Sequence, residues 1–128
     1  MTYQYDHSHY QPPAPLARLT VRNPADNTRQ VTTDALVDTG SDITCLPKAL
    51  IRAVGGEPAS TYSVFGIDKV FIGFANSYFL EFEIASTKKL AEVAAVGDEP
   101  ILGRNLINEF ILQLDGPARK LSITSGTK

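Results

Sequence analysis

Leu19 and Val21 alternate with Arg18, Thr20 and Arg22, a period of two that predicts a strand with one buried and one solvated face. "NPADN" then supplies a turn. A second strand is expected from about Arg29 to Val37, running more apolar toward its end. After "DTGSD", Ile43 to Leu46 reads as a short strand, and "PKALIRAVGG" as a brief helix started by Pro47 and stopped by Gly55 and Gly56. The clearest β pattern follows. In "TYSVFGIDKVFIGFANSYFLEFEI", Tyr78, Leu80, Phe82 and Ile84 share one face and Glu81 and Glu83 the other, while Gly66–Lys69 and Ala75–Ser77 read as reversals between linked hairpins. "LAEVAAV" fits helix or strand; strands on both sides of it favour strand. "GRNLINEF" predicts a short helix, and "ILQLDGPARKLSI" a last hairpin turning at Asp115-Gly116-Pro117.

These elements predict one mainly β domain over residues 16–128. Residues 1–15, "MTYQYDHSHYQPPAP", have neither period and are expected as a flexible, extended arm. His7 and His9 lie there, and two ligands on such an arm make a poor metal site, which favours a solvated tail. The 128 residues suffice for one core, and 43% hydrophobic with 20% charged residues is the balance of a globular chain. A net charge of −2 without a basic stripe speaks against a nucleic-acid partner. No apolar run is long enough to span a bilayer and no signal pattern opens the chain, so a cytoplasmic location and no membrane segment are expected. The single cysteine, Cys45, leaves no internal disulfide; its place in "ITCLP" favours a small buried apolar side chain over a nucleophile.

Candidate chemistry centres on "ALVDTGSDITCLP", where an apolar strand runs straight into Asp38. Alone, Asp-x-Gly is most often a turn in which the carboxylate caps backbone N–H groups. Here a second motif, "ILGRNLIN", follows some distance on: Ile101, Leu102 and Gly103, then Arg104 and Asn105. The pair, in this order, resembles the retropepsin-like aspartic proteases over about residues 16 to 123. The resemblance implies a closed β-barrel with one or two short helices, active as a C2 homodimer, needing no metal and no cofactor, and hydrolysing polypeptide substrates. Peptide hydrolysis by this route takes two carboxylates sharing a proton, and this chain has one Asp-Thr-Gly and no internal repeat. Asp38 of each of two chains would then form the dyad.

The resemblance further implies a role for Thr39 in bracing the partner loop and for Gly40 in close approach and contact with a substrate N–H. It gives Ser41 a hydroxyl donated to the outer carboxylate oxygen, and Asp42 an ion pair with Arg104. It places Phe65, Gly66 and Ile67 at the tip of a flap, one poorer in glycine than retroviral flaps. Asp68 reads as a turn residue. The longer C-terminal hairpin looks more like bacterial and ubiquitin-receptor-like relatives, and much of the dimer interface is expected from it, with Leu121 and Ile123 buried. A metal-binding loop built on Asp38 and Asp42 lacks further acids in "ITCLPK". An actin-like phosphate-binding fold would need far more chain. The other open reading is a retropepsin-like dimerisation or peptide-binding module without turnover.

Overall fold

The computed structural model describes residues 1–126. Its strands are β1 (Thr2–Gln4), β2 (Leu16–Asn23), β3 (Asp26–Val37), β4 (Thr44–Leu46), β5 (Pro58–Phe65), β6 (Phe71–Ile84), β7 (Thr87–Ala95), β8 (Ile101–Leu102), β9 (Phe110–Asp115) and β10 (Lys120–Ser125). Two short helices, α1 (Lys48–Val54) and α2 (Arg104–Ile107), complete it. The main sheet runs β2-β3-β8-β4-β7-β6-β5, and β2 also pairs with β6 through Thr20↔Glu83, Val21↔Phe82 and Arg22↔Glu81. That extra pairing closes the sheet into a barrel, as expected, and removes the edges of the strands that take part.

The alternation in β2 buries Ala17, Leu19 and Val21, and the end of β6 buries Leu80, Phe82 and Ile84. These side chains meet Leu46, Val93, Leu102 and Leu106 in one core. Glu81 and Glu83, on the opposite face of β6, share the Arg22 guanidinium at 3.6 and 2.8 Å. Helix α1 lies over the barrel with Ile51 and Val54 turned inward. It ends at Gly55, whose φ of 77° is the left-handed cap that glycine adopts without strain. The ambiguous "LAEVAAV" is strand, part of β7.

Three expectations change. Ala75–Ser77 is not a reversal: β6 runs through it, because Asn76 and Ser77 pair with Thr61 and Ser60 of β5, and Ser77 also with Ala94 of β7. The continuous β5 ladder, joined by β7 at Ser77, outweighs the weak turn preference of Ala-Asn-Ser. The reversal lies instead at Ala85 and Ser86, both at positive φ (49° and 65°), a twist that suits a tight hairpin but lacks the usual Asn-Gly signature.

The N-terminal arm, expected as flexible, has regular pairing. Tyr3 sits opposite Leu121 in the small sheet β1-β10-β9, and Asp6 bridges Ala14. Tyr3 and Tyr5 pack on the core, which gives a polar, proline-bearing segment something to bury. Leu121 and Ile123 are fully buried by the chain's own core and so are not surfaces offered to another chain. On β9, Ile111 and Leu114 remain exposed.

Candidate active site

The two sequence motifs meet because β8 threads between β3 and β4. Leu36 and Val37 pair in parallel with Ile101 and Leu102, and Cys45 pairs with Ile101 on the other side. The ladder carries one step past β3: the Asp38 N–H donates to the Leu102 carbonyl at 3.1 Å. Asp38 therefore leaves the sheet at a defined point, half-buried, at the bottom of a cleft of about 820 Å³. Its Oδ1 accepts the Gly40 N–H at 2.9 Å, and its carbonyl accepts the Ser41 N–H at 3.2 Å, which curls Asp38-Thr39-Gly40 into a tight loop. A Cβ on Gly40 would stand 3.1 Å from that same Oδ1, tighter than ordinary contact.

The loop is held from behind by groups the motifs only partly advertise. Thr44, fully buried, receives the Gly103 N–H on its hydroxyl at 3.0 Å. Its N–H and hydroxyl both meet Asn105 Oδ1 at 2.9 Å, and Asn105 Nδ2 donates to the Glu92 carbonyl at 2.8 Å. One threonine and one asparagine thus bind β4, β7, β8 and α2 together. Gly103 passes so close to Ile43 and Thr44 that a Cβ there would overlap their backbone, lying 2.7 Å from the Thr44 nitrogen. From the sequence, Asn105 belongs to the second motif without a role, and Thr44 is passed over. For Thr44 the signal was there: a polar side chain inside an apolar string, "ITCLP".

Two expected contacts differ. Arg104 forms no ion pair with Asp42 among the described residues. Its Nη1 donates instead to the Thr39 carbonyl at 2.7 Å, and its N–H to the Ser41 carbonyl at 2.8 Å. Arg104 does tie the second motif to the loop, but through backbone acceptors, which a guanidinium reaches as readily as a carboxylate. Asp42 stays exposed on the cleft wall. The Ser41 hydroxyl donates to the Ile43 carbonyl at 2.6 Å rather than to Asp38, because that acceptor is two residues away along the same turn. The Thr39 side chain is exposed.

The roof of the cleft is the β5–β6 hairpin. Its tip closes with Gly66 N–H to the Val70 carbonyl at 3.0 Å and Lys69 N–H to the Gly66 carbonyl at 2.8 Å, and Asp68 Oδ1 accepts the Val70 N–H, the turn role expected of it. Phe65 is exposed and lines the cleft mouth, and Ile67 is fully exposed at the tip. Phe65, Phe71 and Phe74 stack edge to face, at centroid distances of 5.9 and 5.1 Å, and stiffen the hairpin.

The side wall is β7, whose Glu92 and Ala94 border the cleft with Val96, just past its end, and Cys45 of β4. Cys45 is half-buried there, and burial pushes its thiol above the ordinary range. Tyr62 of β5 is likewise raised, chiefly by the Glu92 carboxylate beside its phenol. Among the described residues no three or more His, Cys, Asp or Glu side chains gather as a metal site, and no helix is long and apolar enough to cross a membrane.

No family model and no curated protein sequence matches the chain. Solved structures do. The EIAV protease complexed with the inhibitor HBY-793 superposes with a TM-score of 0.57 at 17% identity, covering 80% of this chain and 90% of that one. The Simian Foamy Virus (mac) protease gives 0.54 at 23% identity, over 73% and 92%. The foamy viral protease-reverse transcriptase with double-stranded DNA gives 0.55 at 24%, over 77% of this chain and 16% of that longer one. The barrel, with its Asp-Thr-Gly loop held by a threaded strand, has the retropepsin-like aspartic protease fold.

Proposed function

We propose that the chain is an aspartic endopeptidase, assembled as a C2 homodimer in which Asp38 of each subunit contributes one carboxylate to a shared dyad. The observation that carries this reading is the placement of Asp38: one carboxylate, in a loop pinned at Leu102, at the floor of a cleft large enough for an extended polypeptide. One acid cannot both take a proton from water and polarise the scissile carbonyl. Two that share a proton can, since like charges a few ångströms apart do not both ionise. The ionised member takes a proton from water as its oxygen attacks the carbonyl carbon; the protonated member donates to the carbonyl oxygen. Collapse of the resulting diol breaks the C–N bond, with a proton passing to the leaving nitrogen.

Substrate would lie as a strand between floor and hairpin, with main-chain hydrogen bonds supplying affinity and alternate side chains filling pockets. The β5–β6 hairpin, with Phe65, Gly66 and Ile67, is the flap that excludes water on closure. Thr39 and Gly40 face the partner loop and the substrate, and Ser41, Asp42, Ile101, Leu102, Gly103 and Arg104 shape the floor.

The test is cleavage of an unstructured polypeptide at acidic and neutral pH by the protein and by Asp38→Asn. Cleavage by the first and not the second is expected. Cleavage by both, or by neither, counts against the reading, and the last outcome together with peptide binding would mark a binding module.

A further inference from the structure

Four acids of the barrel surface have cations at hand, and the acids that line the cleft do not. Glu81 and Glu83 share Arg22, Asp34 meets Arg18 at 3.1 Å, and Glu109 meets Lys89 at 3.2 Å. Besides Asp38, Glu92 and Asp42 line the cleft, and none of the three has an ion-pair partner among the described residues. The two cations that also border the cleft are placed otherwise: Arg104 donates to the Thr39 carbonyl, and Lys69 belongs to the hairpin tip.

Glu92 is better built than Asp42. The fully buried Ser77 donates its hydroxyl to Glu92 Oε2 at 2.6 Å, and the Tyr62 phenol stands alongside. Both neighbours are neutral, so they fix the carboxylate's direction and leave its charge uncompensated. Ala94, two residues on along β7, and Val64 of β5 also line the cleft, small apolar walls that suit the methylene stem of a long side chain. An acid in a partly enclosed cleft attracts a cation more strongly than the same acid in bulk water.

We propose that Glu92 is a specificity-determining carboxylate that selects a lysine or arginine side chain in the polypeptide held by the cleft. The inference rests on the cleft being the substrate site, and its test separates the two. Fluorescently labelled, otherwise neutral peptides carrying a single lysine, moved one position at a time, would be compared with norleucine counterparts for binding to Asp38→Asn, measured by anisotropy.

At one position lysine should bind about tenfold more tightly, the scale of a charge-assisted hydrogen bond. That ratio should fall toward one when Glu92→Gln is added, whatever the absolute affinities. Should Glu92→Gln fail to fold, a salt titration with Glu92 intact reads the same interaction, and the ratio should shrink as salt rises. A ratio near one at every position, no binding of any peptide, a ratio that survives Glu92→Gln, or one indifferent to salt would each overturn the proposal. Selective lysine binding by a protein that never cleaves would leave Glu92 standing and remove the peptidase.

Discussion

Gly103 and Thr44 show how much of the site depends on single atoms. A methyl at Gly103 meets backbone of Ile43 and Thr44, which has nowhere to go inside a strand crossing. Gly103→Ala should cost about 1–3 kcal/mol, the usual range for overpacking, read as a lowered denaturant midpoint. Thr44→Val keeps the shape but strands the Gly103 N–H, at about 1–3 kcal/mol for a buried donor left without a partner, whereas Thr44→Ser should recover most of it. Ser41→Ala should leave the pH-rate curve of cleavage in place, because its hydroxyl serves Ile43 and not Asp38. A shift of that curve would show that the hydroxyl turns to the carboxylate in the working enzyme. Cys45, whose thiol burial pushes above its ordinary range, should alkylate more slowly than a free thiol.

At the scale of elements, the N-terminal arm is the part that departs furthest from its sequence. Tyr10 donates to Glu99 Oε2 at 2.7 Å and so ties the arm to the segment that leads into β8. Burial, and next that hydrogen bond, raise the Tyr10 phenol from 10.0 to about 12. A phenol raised on folding contributes its stability fully below pH 10 and loses it as pH rises through about 12. The alkaline end of the stability curve should therefore lose a step in Tyr10→Phe, measured by thermal unfolding across that window. The arm's residues carry no period of their own. Residues 2–4 take their order from pairing with β10, across more than a hundred residues of sequence, which no local window contains.

For the whole molecule the proposed dyad turns on self-association. A strictly monomeric protein at high concentration, by sedimentation or light scattering, would contradict a dyad made of two Asp38 residues. Specific activity should rise with protein concentration until the dimer saturates. Because Leu121 and Ile123 lie in the subunit's own core, their replacement by alanine should lower subunit stability by about 2–5 kcal/mol rather than weaken association alone. The exposed Ile111 and Leu114 on β9 are the C-terminal positions where substitution can touch association without touching that core.

Much of this was legible along the chain. Period-two alternation located β2 and the inner face of β6, Pro47 and Gly55 bounded α1, and the Asp-Thr-Gly loop with its apolar-apolar-glycine counterpart named the elements that hold Asp38. Those are local signals, or pairs of them, and each is written in a few adjacent residues. What the tertiary structure alone decided are choices between near neighbours competing for the same group. The Ser41 hydroxyl took the Ile43 carbonyl, Arg104 took Thr39 rather than Asp42, and Ala75–Ser77 stayed extended because β5 pairs all along it and β7 joins at Ser77. Residue types say which groups can bond. Only the packed chain places one acceptor at 2.6 or 2.7 Å and leaves another in solvent, as Arg104's bond to Thr39 leaves Asp42 without an ion pair among the described residues.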